Sequence, residues 1–85
     1  MINNKQAILK NICYTELVYE RINKKLSIQF SKKQIEKFIF KILEETEVKH
    51  FSKKGKNYYI QNTENNIQIT INSNTFRVIT VDKLI

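Results

Sequence analysis

The chain has no proline and no tryptophan, and only one glycine, one cysteine and one histidine among its 85 residues. Each scarcity excludes something. Cys13 alone cannot form an internal disulfide, and a lone cysteine of this kind is expected as a small buried apolar filler rather than a nucleophile. Gly55 alone cannot supply a glycine-rich loop that cradles phosphates. One His and one Cys among scattered acids offer no metal-ligand spacing, so neither a metal nor a cofactor is expected. Nothing in the pattern organises a Ser–His–Asp triad. No apolar run approaches the roughly 20 residues that span a bilayer. The first residues, "MINNKQAILKN", carry no apolar segment of the secretory type. The expected setting is therefore the cytoplasm, away from any membrane. No proline, glycine cluster, low-complexity tract or repeat marks a domain boundary, and residues 1–85 are expected to fold as one domain.

What is abundant is positive charge. Fifteen Lys and Arg face eight Asp and Glu, a net charge of +7. Such a balance favours an acidic partner, with nucleic acid the leading class. Hydrophobic residues make up 41%, enough for a packed core and too many for disorder.

The period of the apolar residues divides the chain. From Asn4 to about Lys25 it is helical, with Ile8 and Ile12 on one stripe and Tyr14, Leu17, Val18, Ile22 and Leu26 on the next. Thr15 followed by Glu16 reads as a helix start, so a kink or a junction of two short helices falls at Tyr14–Thr15. In "FSKKQI", Ser31 and Gln34 have capping-box spacing, and Phe30 and Ile35 stand where a hydrophobic staple would. Ile35, Phe38, Ile39, Ile42 and Leu43 then mark a helix over residues 32–46, closing a helical part that spans 4–46.

After Gly55 the period falls to two. "KNYYIQ", "IQITIN" and "TFRVITV" read as three antiparallel strands within residues 55–83. A two-residue turn at Ser73–Asn74 would set Ile71 opposite Phe76, Thr70 opposite Arg77, Ile69 opposite Val78 and Ile67 opposite Thr80. The expected fold is α+β: N-terminal helices packed on one face of a three-stranded meander. Tyr58, Ile60, Ile67, Ile69, Ile71, Phe76 and Val78 would form the covered face. The other face would collect Asn57, Tyr59, Gln68, Thr70, Asn72, Thr75 and Arg77, with Ile79 at its end. Uncharged hydrogen-bonding residues around one tyrosine and one arginine suit a ligand platform better than a face of lysines and glutamates does.

"KHFSKKGK" precedes this sheet and reads as a basic connector. Lys49, Lys53, Lys54 and Lys56 are candidate phosphate contacts, joined by Asn57, Thr70, Asn72 and Thr75 on the sheet. RNA cleavage by the substrate's own 2′-hydroxyl needs a proton acceptor, a proton donor and cations for the phosphorane charge. His50, Tyr59, Lys56 and Arg77 are the candidates for those roles.

The blocks "ICYTELVYERINKKL", "GKNYYI" and "ITINSNTFRVITVDK" resemble a family of small bacterial proteins described as a domain of unknown function, over roughly residues 8–84. Two helices before a basic Gly-Lys and an antiparallel sheet ending in "RVIT" are also similar in architecture to small ribonuclease toxins of the barnase, colicin and RelE type. That likeness implies RNA as the substrate and metal-independent cleavage as the reaction. Two expectations follow. In one, the protein binds RNA, with a ribonuclease toxin as its catalytic form. In the other it is a non-catalytic protein-binding module, an antitoxin-like regulator or a homodimer joined through an exposed strand at Thr75–Val81.

Overall fold

Residue 31 begins the best-specified element of the chain. Ser31 Oγ accepts from Gln34 N at 3.2 Å and the Gln34 side chain accepts from Ser31 N at 2.8 Å, so the capping box is complete. The helix it opens, α3 (Lys32–Glu45), buries Ile35, Ile39, Ile42 and Leu43. A computed structural model of the chain describes residues 4–85; residues 1–3 of the expected domain lie outside the described residues. Before α3 come α1 (Asn4–Asn11) and α2 (Glu16–Leu26). The helical stretch therefore does break near Tyr14–Thr15, although the Thr15 side chain makes no capping hydrogen bond. Ser27 ends α2 with φ 56°, taking the left-handed cap position that glycine usually fills. Asn23 then holds Phe30 by both backbone groups, each at 3.0 Å, and so aims the chain into α3.

The sheet has four strands rather than three: β1 (Phe51–Lys54), β2 (Asn57–Asn62), β3 (Ile67–Asn72) and β4 (Val78–Lys83), in the order β1-β2-β3-β4 and all antiparallel. The added strand lies inside the segment read as a connector, so the sheet begins at Phe51 and not at residue 55. Gly55 makes this possible. Its φ of 61° gives a two-residue turn with glycine first, which folds β1 back so that Lys54 opposes Asn57. Between α3 and β1 the chain makes a single 3₁₀ turn, Val48–His50.

The register of β4 also differs from the expected one. Ile71 opposes Val78, Thr70 opposes Thr80, Ile69 opposes Val81 and Ile67 opposes Lys83. The turn before β4 is longer than two residues because Asn72 builds it: its Oδ1 accepts from Asn74 N at 2.8 Å and Thr75 N at 2.9 Å, and its carbonyl accepts from Phe76 N at 2.9 Å. Phe76 consequently sits in the turn with φ 60°, packed against the core's rim, not opposite Ile71. Ile79 is left over as a bulge between the Val78 and Thr80 pairings.

One apolar cluster unites both halves. Ile8, Val18, Ile22, Leu26 and the α3 stripe meet Tyr58, Ile60, Ile67, Ile69, Ile71, Val78 and Val81. These sheet residues lie on the side of the sheet covered by the helices. Each fully buried isoleucine contributes about 1.5–3 kcal/mol, which is why the sheet cannot slip by one residue without exposing the whole set. Leu17 is the exception to the expected stripe, at 75% exposure. A second tie is polar: buried Asn62 donates to Thr46 Oγ1 at 2.9 Å, Thr46 donates to Ile42 O at 2.6 Å, and Asn62 Oδ1 accepts from Asn65 N at 2.9 Å. It joins the end of α3 to the β2–β3 turn.

Two stability outcomes follow from these contacts. Ser31→Ala should lower stability by about 1 kcal/mol in denaturant melts, the usual loss for an N-cap hydroxyl. Asn62→Ala should cost about 1–3 kcal/mol, because the Thr46 hydroxyl and the Asn65 amide each lose a buried partner.

Candidate nucleic-acid interface

The outer face of the sheet is arranged in rows set by strand register. At the end bearing the Gly55 turn, Lys54 opposes Asn57 and Asn57 opposes Asn72. Arg77 completes that row through its carbonyl, which accepts from Asn72 N at 2.9 Å. The next row is Ser52, Tyr59, Thr70 and Thr80. The third contains Gln61, Gln68 and Asp82, with Gln61 donating to Gln68 at 2.9 Å and Asp82 paired to Lys25 at 2.8 Å.

The two hairpin turns at the first row are locked together. Ser73 N and Ser73 Oγ both donate to Lys56 O, at 2.8 and 2.9 Å. The lock sets the Gly55 turn, which carries Lys54 and Lys56, beside the turn that precedes Arg77, and among the described residues Lys53, Lys54, Lys56 and Arg77 form no ion pair. Lys54 belongs to the outer face. Lys53 follows the register of Tyr58, toward the helix side, but is exposed at the sheet edge. Asn57 Nδ2 lies 3.5 Å from Tyr59 Oη on the outer face. Thr75 is exposed; its Oγ1 accepts from Arg77 N at 3.3 Å. Thr70 is only 5% exposed, so its neighbours already cover it. Asn72 Oδ1 is committed to the turn, leaving its amide NH₂ as the available donor.

The remaining candidates lie elsewhere. His50 ends the 3₁₀ turn, where its N–H donates to Glu47 O at 2.9 Å. It borders a cavity of about 110 Å³ lined also by Glu45, Glu47, Gln61 and Glu64. Lys49 stands beside it with its ammonium 3.4 Å from Glu47. Four strand steps of about 3.3 Å separate His50 from Lys54, roughly 13 Å along β1. A general acid or base must reach the group it serves within hydrogen-bond distance or through one water. His50, Tyr59, Lys56 and Arg77 are thus not gathered around one point. Tyr59 occupies the middle row, Lys56 and Arg77 the basic rim, and His50 the acid-lined far end.

A model for the family described as "Protein of unknown function (DUF3781)" matches residues 6–82. The chain belongs to the DUF3781 family. No curated protein and no solved structure matches it. Among the described residues no group of three or more His, Cys, Asp or Glu is placed to hold a metal ion, and no helix is long and apolar enough to cross a membrane.

Several features of this family member escaped the sequence pattern. Cys13 is exposed rather than buried, and it lies against the β4 edge: Cys13 N donates to Phe76 O at 3.0 Å and Val78 N donates to Cys13 O at 2.9 Å. β4 is the last strand of the sheet, with α2 packed beside it, and the edge expected at Thr75–Val81 is paired at Phe76–Val78 by Cys13. The open edge is β1. A groove of about 430 Å³ beside Cys13 is walled by Tyr14, Tyr19, Glu36 and Phe40. The two tyrosine rings stack at 5.5 Å, and Tyr19 Oη donates to Glu36 at 2.6 Å. Burial, then neighbouring Glu36, raises the Tyr14 phenol above its ordinary range. Burial and the Glu36 hydrogen bond together push Tyr19 up to about 12.

Tyr19 therefore offers a titration test. Its proton is held more tightly in the folded chain than in the unfolded one. The stabilisation is fully present below pH 10, the ordinary tyrosine value, and is lost as pH rises toward about 12. Glu36→Gln should lower the Tyr19 midpoint toward 10 without reaching it, since burial remains; ultraviolet titration of the phenolate measures this.

Proposed function

We propose that the protein binds RNA by its phosphate backbone along the rim formed by the two locked turns, with bases directed over Asn57 and Tyr59. The single observation that carries this reading is the Ser73–Lys56 lock, which ties the lysine-bearing Gly55 turn to the turn before Arg77, where among the described residues Lys53, Lys54, Lys56 and Arg77 form no ion pair. A carboxylate-free cluster of cations is suited to phosphates, which it meets without first breaking internal pairs. The opposite end supports the same polarity. Glu45, Glu47 and Glu64 line the cavity beside His50 there, with Lys49 paired to Glu47 and Lys5 bonded to the Glu44 and Thr46 carbonyls, so the cations at that end are engaged within the protein.

The proposed activity is binding without cleavage by His50, which stands roughly 13 Å along β1 from Lys54. Among the described residues Tyr59 is the aromatic ring on the sheet's outer face, and a stacked base on such a ring contributes about 1–3 kcal/mol. Single-stranded RNA suits the surface better than duplex, because only unpaired bases can lie over Tyr59 while their phosphates meet the rim.

Salt dependence tests the reading. With four phosphate contacts, log K against log salt should slope by roughly −3 on single strands, at about −0.7 per contact. Lys54→Gln with Lys56→Gln should flatten the slope by about 1.4 and leave the thermal melt unchanged. Tyr59→Ala should weaken binding with little change in slope, and His50→Ala should change neither. Absence of any salt-dependent affinity for single-stranded RNA at low ionic strength overturns the proposal.

A further inference from the structure

On the far side of Arg77 from the locked turns, α2 and β4 enclose a groove of about 280 Å³ with an apolar floor of Leu17, Val78 and Ile79 between Arg21 and Arg77. Leu17 is 75% exposed and Ile79 is 37% exposed. Both exposures have a local cause. The α2 stripe that packs inward is Val18, Ile22 and Leu26, spaced by four, and Leu17 stands one residue off it. Ile79 is the bulge residue of β4, the extra member between two paired positions. A bulge at a sheet edge re-aims a side chain, and this one sets an isoleucine in the same groove as Leu17. A lysine or glutamate at either place would be easier to solvate. Leu17 and Ile79, exposed side by side over buried Val78 and inside a cationic rim, form a seat sized for one apolar side chain.

We infer that this groove is a docking site for an acidic segment of another protein, one that presents an apolar side chain between carboxylates. Charge selects the occupant. The rim carries Arg21 and Arg77, and Lys24 lies farther along α2. Glu16, which could have balanced them, is engaged by Lys32 at 2.6 Å, leaving Glu20 as the nearby carboxylate. A second copy of this chain is a poor occupant: a two-fold contact would set the arginine-bearing rim against itself. RNA would satisfy the arginines but leave Leu17 and Ile79 without an apolar partner. Strand addition is also excluded here, since Val78 N is already given to Cys13 O. The occupant therefore binds through side chains, with a leucine or phenylalanine seated on Leu17 and Ile79 and its acids on Arg21 and Arg77. The inference stands independently of RNA binding, and it carries a regulatory consequence: an occupant that holds Arg77 withdraws one cation from the adjoining rim.

The test uses the full chain and three synthetic helical peptides, one with leucines at i and i+4 flanked by glutamates, one with lysines replacing the glutamates, and one with serines replacing the leucines. Fluorescence anisotropy gives affinity, and amide chemical shifts locate the site. The acidic leucine peptide should bind and shift Leu17, Arg21, Arg77 and Ile79. The other two peptides should bind at least about tenfold more weakly. Leu17→Ser should weaken the acidic peptide by about tenfold while leaving the melt and the RNA salt slope unchanged, because the side chain contributes little to the core. Arg21→Gln should weaken it and reduce its salt sensitivity. The inference is overturned if the acidic peptide does not bind, if Leu17→Ser leaves its affinity intact, or if the shifts map elsewhere. Sedimentation showing a dimer that Leu17→Ser dissolves overturns it in favour of a second copy. Loss of RNA affinity in Leu17→Ser, with no peptide binding, overturns it in favour of nucleic acid and leaves the proposed RNA reading standing.

Discussion

Two backbone hydrogen bonds at Cys13, one given to Phe76 and one taken from Val78, join the segment between the first two helices to the last strand. Much of the molecule's form depends on that join. It occupies the start of β4's outer edge at Phe76–Val78, lays α2 beside the strand, and holds Phe76 in the left-handed turn that precedes β4. The turn in turn presents Ser73 to Lys56, so a contact made by residue 13 helps to position a lysine forty-three residues later. In a chain of 85 residues with no disulfide, a few such cross-connections must do what a larger core does elsewhere.

Charge follows the same axis. Among the described residues the cations at the turn-bearing end of the sheet form no ion pair, and the end bearing the 3₁₀ segment sets Glu45, Glu47 and Glu64 beside His50, Lys49 and Lys5. Among the described residues, ion pairs tie α2 to the elements beside it, Lys25 with Asp82 of β4 and Glu16 with Lys32 of α3. Exposed pairs of that kind contribute little to stability.

How far the sequence disclosed this depends on the kind of signal. The capping box at Ser31–Gln34 and the Ile35, Ile39, Ile42 and Leu43 stripe were legible because both are local and repeat with the helix period. The alternation of "IQITIN" named β3 and its inward isoleucines correctly. β1 was illegible: four residues at an open edge, with only Phe51 turned partly inward, carry almost no hydrophobic period. The register of β4 failed for a different reason. Asn72 uses its side chain as a turn-builder, and a bulge at Ile79 shifts the count by one; neither device has a signature beyond residue types that also suit a tight turn. The candidate site divides likewise. Lys54, Lys56 and Asn57 were recognisable as a cluster from their adjacency, while the separation of His50 from them required knowing that the intervening residues form an extended strand. The groove on Leu17 was hidden because, on spacing alone, Leu17 reads as core.

The open edge at β1 gives its lysines a further consequence. In a hairpin closed by a two-residue turn, Lys54 and Ser52 direct their backbone groups to β2, while Lys53 and Phe51 direct theirs outward. Those outward amides and carbonyls are a template on which another extended chain can add, the step that begins aggregation of β proteins. Paired lysines beside such an edge act as gatekeepers, since a like-charged neighbour must be brought against them before any ladder can form. The protein thus gains colloidal stability from the residues that give it a basic rim, and a lineage that lost those charges would have to blunt the edge by other means.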